Sequence, residues 1–150
     1  MLRQYIRSVI CESKKKKRSA GVVILKRFDG IWKVLILKDT KGRFDITKGL
    51  VEDNETFLDA AVREASEEAG IFLEKDNFLW GFDALSYGKG RAFVAATTLE
   101  PFITPNPKTN EIEHIEWQWL NFKEAKNIVI DYLKPAIVWA ETKASSQSRK

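Results

Sequence analysis

The spacing of apolar positions changes several times along the chain. Ala20–Phe28 (AGVVILKRF) and Ile31–Asp39 (IWKVLILKD) are rich in branched aliphatic residues, and Phe28–Gly30 between them is a turn, so the pair predicts a hairpin. Thr40–Gly42 turns again ahead of a short strand over Arg43–Thr47. The period then lengthens to that of a helix, with Leu58, Ala61, Val62 and Ala65 at core-facing spacing. Thr56 is its N-cap, with Asp59 as a short capping-box partner, and Gly70 is its stop. Asn77–Tyr87 and Arg91–Leu99 predict two more strands joined at Gly88–Gly90. Glu100–Asn110 holds three prolines and predicts a loop. His114–Leu120 (HIEWQWL) alternates as a strand. Phe122–Val129 and Tyr132–Ala144 predict helices, with Pro135 in the first turn of the second. Leu2–Ile10 alternates weakly, as an edge strand would. Strands interspersed with helices give an α/β fold, with helices on both faces of one mixed sheet.

Length and charge narrow this picture. At 150 residues, with nine Phe and five Trp, the chain suits one domain with one core. No apolar run is long enough to span a bilayer, and the first residues interleave apolar side chains with Arg and Gln, unlike a secretory leader. A single cysteine, Cys11, excludes an internal disulfide and reads as a small buried hydrophobe. It fits a reducing compartment, so a cytoplasmic protein without a membrane partner is expected. The net charge of +4 is segregated: Lys14–Arg18 is a basic run, whereas Gly49–Gly70 is acidic. The basic run reads as a solvated loop or as an attractor of phosphates. Oligomeric state is left open.

Gly49–Ile71 (GLVEDNETFLDAAVREASEEAGI) contains seven carboxylates in 23 residues. Glu64, Glu67 and Glu68 share one helical face, where like charges repel unless something neutralises them. Hard divalent cations such as Mg²⁺ take oxygen ligands, so carboxylates on a rigid helix can hold them while substrate phosphates complete the shell. Arg63 sits inside the cluster and can bridge two carboxylates. Gly49, lacking a Cβ, can bring a backbone carbonyl close to a metal.

These residues resemble the Nudix box, G-x5-E-x7-R-E-U-x-E-E-x-G-U with U aliphatic. Gly49, Glu55, Arg63, Glu64, Glu67, Glu68 and Gly70 fill all seven fixed positions, and Ala65 and Ile71 fill aliphatic ones. With roughly 6% usage per residue, chance agreement is on the order of 10⁻⁹ per start point. Upstream, FDITKG resembles the family's W-x-x-P-K-G, with Phe44 for Trp and Thr47 for Pro. The resemblance implies an α/β/α sandwich over residues 19–144, preceded by a basic extension (1–18) and followed by a tail (145–150). It implies a pyrophosphohydrolase acting on a nucleoside diphosphate linked to another group, dependent on Mg²⁺ or Mn²⁺. Glu64, Glu67, Glu68 and the Gly49 carbonyl are the implied metal ligands, and Glu55 with Arg63 the pair that orients them.

Substrate choice lies outside the box. Asn110–Ala125 resembles the E-H-x-x-Y-x-W-L-x-x-E-E-A stretch of asymmetric diadenosine tetraphosphate hydrolases through Glu113, His114, Trp119, Leu120, Glu124 and Ala125. Trp117 replaces the Tyr and Lys123 the first Glu of the pair. Glu113 is a candidate further ligand or general base, or else a solvated loop residue. His114, the single histidine, is a structural hydrogen-bonder or a group near Glu113. In Ser86–Arg91 (SYGKGR), Tyr87 is a candidate to stack on a base, and Lys89 and Arg91 to hold phosphates, unless the segment is an ordinary hairpin. Lys48 matches the family position of a phosphate contact. A dinucleoside polyphosphate is thus the expected substrate, with a 5′-triphosphorylated or capped RNA end as the alternative. A nucleotide-binding module without turnover is the alternative outside enzymes.

Overall fold

The computed structural model describes residues 18–147. The strand expected at Leu2–Ile10, Cys11 and all of the basic run except Arg18 lie outside the described residues.

Among the described residues, seven strands form one mixed sheet around β1 (Ser19–Phe28). β2 (Ile31–Asp39) pairs antiparallel with β1 only through Leu25↔Val34 to Phe28↔Ile31. The other half of β1, Ser19–Val22, pairs with β4 (Thr47–Leu50). β3 (Phe44–Asp45) and β7 (His114–Leu120) both pair with β2. β6 (Gly90–Ala96) runs parallel to β1 and is flanked by β5 (Leu85–Tyr87). The β2–β7 register ends at Asp39↔His114, so the start of β7 lies beside the segment that leads into β4.

Alternation along β1 builds both cores, because successive side chains point to opposite faces. Val22 and Ile24 meet Leu35, Leu37, Phe93 and helix α1 (Phe57–Ala69) on one face. Val23 and Leu25 meet Val34, Ile36, Val94 and helices α2 (Phe122–Ile128) and α3 (Lys134–Gln147) on the other. The molecule is the expected α/β/α sandwich. Each fully buried Val, Leu or Ile contributes about 1.5–3 kcal/mol of transfer free energy.

Helix α1 carries the acidic face. Thr56 Oγ1 accepts the Asp59 N–H, and Asp59 returns the bond to the Thr56 N–H. Gly70 ends the helix at φ 65°, a left-handed conformation that glycine adopts without strain. Its inner face is alanine: Ala60, Ala61, Ala65 and Ala69 are fully buried, so the helix axis lies close to the sheet. Leu58 and Val62, expected at the centre of that face, pack half-buried at its rim.

Three elements differ from the sequence reading. Asn77–Tyr87 is a strand only over Leu85–Tyr87; Lys75–Asn77 is a 3₁₀ turn fixed by Asn77, whose Nδ2 donates to the Ala96 carbonyl at 2.8 Å. Phe78 and Trp80 are drawn into different aromatic contacts, Phe78 into the α1-side core and Trp80 against Trp32, which a paired strand would not permit. Arg43–Thr47 divides at Ile46, and the segment expected to loop into the box at Lys48–Gly49 is strand β4, because β1 has an unpaired half there. The last helix begins at Lys134, Tyr132 lies in the 3₁₀ turn Asp131–Leu133, and the helix runs on to Gln147. Among the described residues no helix is long and apolar enough to cross a membrane.

Candidate active site

Arg63 organises the acidic face. Its Nε and Nη2 donate to the two oxygens of Glu55, at 2.8 and 3.1 Å. Nη1 donates to Glu64 Oε1 at 2.8 Å and to Glu67 Oε2 at 3.1 Å, and Nη2 also reaches the Leu50 carbonyl at 2.8 Å. One guanidinium therefore joins helix α1, the end of β4 and the turn before the helix. Glu55 also accepts the backbone N–H of Glu52, which fixes that turn.

Gly49 has a specific reason to be glycine. A Cβ built there would lie 2.1 Å from Glu64 Oε1, so the Glu64 carboxylate occupies the space where a side chain would begin. The sequence reading gave Gly49 an accessible carbonyl; the structure adds that its bare Cα makes room for Glu64. Burial raises the Glu64 carboxyl to about 7, against the opposing pull of Arg63.

Glu68 is more enclosed, at 8% exposure. Its Oε1 accepts the Lys48 backbone N–H at 2.7 Å, and its Oε2 lies 3.4 Å from His114 Nδ1. Burial, reinforced by Glu64, lifts its carboxyl well above the usual range. Burial also lowers the His114 imidazole. Among the described residues, the three-member set whose ligand atoms all lie within 4.8 Å of one another is Glu68, Glu113 and His114. Glu64 and Glu67 are turned toward Arg63 instead. A divalent cation fits this set: two carboxylates and one imidazole converge, and the most buried of them has no cationic side chain against it.

Lys48 turns away from the carboxylates of α1. Its Nζ binds Asp45 Oδ2 at 3.2 Å and lies 5.6 Å from the Tyr132 ring centroid. Burial alone would lower its pKa, but Asp45 and Tyr132 raise it, so it stays a cation. Tyr132, half exposed, stands 6.0 Å from the half-buried Tyr87 ring, whose hydroxyl pairs with Ser19 Oγ at 3.0 Å.

A cleft of about 580 Å³ opens between the end of β4, helix α1 and the loop that carries Asn106 and Lys108. Lys48, Gly49, Arg63, Glu64, Glu67 and Glu113 line it, whereas Tyr87, Lys89 and Arg91 do not. Lys89 is exposed in the β5–β6 turn, and the Arg91 guanidinium sits 5.1 Å from the Phe57 ring centroid. The sequence reading missed Glu52, Asn106 and Lys108, all of which line the cleft. It also missed Asp45 and Tyr132. Asp45 had a signal in its three-residue spacing to Lys48, and Asn106 in its turn-forming position two before Lys108. Tyr132 had none.

Comparison with known proteins agrees with the fold and the box. The NUDIX domain family matches residues 8–139. Two proteins named RNA pyrophosphohydrolase are similar. That of Bartonella henselae is 27% identical over 144 residues, covering 79% of this chain and 83% of its own. That of Bartonella quintana is 28% identical over 144 residues with the same coverage. Among solved structures, a C. elegans Ap4A hydrolase binary complex superposes with a TM-score of 0.68 at 21% identity, covering 85% of this chain and 98% of that one. The E. coli dihydroneopterin triphosphate pyrophosphohydrolase gives a TM-score of 0.57 at 20% identity, covering 80% of this chain and 91% of that one.

Proposed function

Because the chain belongs to the NUDIX domain family and is a hydrolase of pyrophosphate bonds, we propose that it cuts a dinucleoside polyphosphate such as diadenosine tetraphosphate, with Mg²⁺ or Mn²⁺. The observation that carries this reading is the convergence of Glu68, Glu113 and His114 beside the Arg63-ordered pair Glu64 and Glu67, with Glu64, Glu67 and Glu113 lining a cleft large enough for a nucleotide. Glu68, Glu113 and His114 would hold a cation, with Glu64, Glu67 and the Gly49 carbonyl available for others. The imidazole among these donors favours Mn²⁺ over Mg²⁺. Bound there, such a cation polarises phosphoryl oxygens and acidifies the attacking water.

The remaining roles fall to side chains. Arg63 and Glu55 keep Glu64 and Glu67 in one rotamer each, so the carboxylates are ordered before substrate arrives. Glu113 is exposed and accepts from Asn106 Nδ2 at 3.0 Å, which orients its carboxylate for its part in the set with Glu68 and His114. Lys48 supplies positive charge toward the phosphates from the Asp45 side. Tyr132, with Tyr87 behind it, offers an aromatic face for a base.

A second reading, hydrolysis of a 5′-triphosphorylated RNA end, is favoured by the two Bartonella relatives and by the basic run ending at Arg18. A panel of diadenosine tetraphosphate, triphosphorylated RNA and a nucleotide sugar, each with Mg²⁺ and with Mn²⁺, tests both. ATP and AMP from the first substrate support the proposal. Turnover of RNA alone replaces it with the second reading, and cleavage of the nucleotide sugar alone refutes both.

A further inference from the structure

We propose that Lys108 is a phosphate ligand for the substrate, held at the mouth of the cleft by Glu52 until substrate displaces that carboxylate. This rests on the polyphosphate reading above and adds a residue from outside the box and its flanking strands.

The cleft must take a polyanion, yet Glu52, Asp53, Glu64, Glu67 and Glu113 line it. The lining cations are Lys48, Arg63 and Lys108. Arg63 has five N–H donors, and its hydrogen bonds to Glu55, Glu64, Glu67 and the Leu50 carbonyl use all of them. Lys48 is committed to Asp45 and only 21% exposed. Lys108, 60% exposed, has an ion pair to Glu52, itself 41% exposed. An exposed ion pair is weak, whereas a phosphate offers several charged acceptors, so Lys108 is the cation that can change partner.

Its position is built by Asn106. Asn106 Oδ1 accepts the Lys108 backbone N–H at 2.8 Å, which makes an Asx turn. The loop closes through Asn106 N–H to the Glu111 carbonyl (2.8 Å) and Asn110 N–H to the Asn106 carbonyl (2.7 Å). The same Asn106 side chain donates to Glu113 at 3.0 Å, so the turn carrying Lys108 is fastened to the cation-holding set. An ammonium on the lining of the cleft that Glu64 and Glu67 also line can meet phosphates lying over those carboxylates.

Glu52 then competes with substrate, which sets opposite signs for the two partners. Steady-state kinetics with Mg²⁺, on whichever of diadenosine tetraphosphate and triphosphorylated RNA the wild type cleaves, reads them. Lys108→Gln is expected to raise KM about tenfold, with kcat changing less, and Lys108→Arg to recover most of the loss. Glu52→Gln is expected to lower KM about threefold. If both neutral variants raise KM alike, the pair only closes the loop and the proposal is overturned; an unchanged KM in Lys108→Gln overturns it as well while leaving the proposed function standing. Calorimetric binding of methylene-bridged diadenosine tetraphosphate in Mg²⁺ separates the two ideas. Tenfold weaker binding by Lys108→Gln in a protein that cleaves neither substrate supports Lys108 and refutes the activity. No binding by the wild type overturns both.

Discussion

Glu68 is held between the backbone N–H of Lys48 and the imidazole of His114, with its two carboxylate oxygens 2.7 Å and 3.4 Å from these partners. The strand that precedes the helix and the strand that follows the proline-containing loop therefore meet on one buried carboxylate. Neither neighbour cancels its charge, because burial keeps the His114 imidazole neutral to lower pH than usual.

Cation affinity follows from that arrangement. Glu113→Gln or His114→Ala removes one donor of the three, and each is expected to weaken Mn²⁺ binding by about 10–100-fold. Titration of the chelator-treated protein with Mn²⁺, followed by electron paramagnetic resonance of the free ion, measures this. Wild-type affinity in both variants would remove them from the site.

Gly49→Ala tests the close approach to Glu64. The added methyl falls on the Glu64 carboxylate, so that side chain must leave its rotamer and its bond to Arg63. Turnover is expected to fall about 10–100-fold, with a loss of thermal stability small beside that of a core truncation. An unaffected rate would mean that Glu64 has no role set by its present position.

The pH dependence of the metal-free protein has a definite sign. The folded-state carboxyl of Glu64 is raised to about 7 and that of Glu68 is raised too, so between about 4.5 and 7 the native state keeps protons that the unfolded chain has lost. These groups therefore lower stability as pH rises through that window, and the cost from Glu64 is complete above it. His114, whose pKa is lowered, gives the opposite slope below 6.5. Melting temperatures in chelator from pH 5 to 8 should fall with pH, Glu64→Gln should flatten the curve, and a divalent cation should restore the high-pH end. A curve that rises with pH in chelator and is unchanged by Glu64→Gln would contradict this.

The sequence made some of this visible and hid the rest. Residues tied to local geometry were legible: the Thr56–Asp59 capping box and the Gly70 stop need only neighbours in the chain. The Arg63–Glu55 pair followed from the box. What escaped depends on pairing across the sheet. That β4 fills the half of β1 left by β2 is a long-range fact with no local spacing to announce it, whereas Glu113 stands as a candidate ligand by resemblance, and the start of β7 brings it and His114 to Glu68. Lys89 and Arg91 are phosphate candidates by residue type alone. Register instead puts Arg91 on Phe57 and leaves Lys89 in an exposed turn away from the cleft lining. Glu52 belongs to a turn that Glu55 fixes, and that turn is part of the cleft wall.

Glu68→Gln tests the central claim most directly. The amide resembles the protonated carboxyl in shape and removes a buried charge, so the metal-free variant should melt at or above the wild-type temperature at pH 7.5. Its turnover of diadenosine tetraphosphate, measured as ATP and AMP released at saturating Mg²⁺, is expected to fall by about 10³-fold or more, on the scale of losing a principal group that stabilises transition-state charge. A folded Glu68→Gln protein that releases ATP and AMP at the wild-type rate would contradict the account.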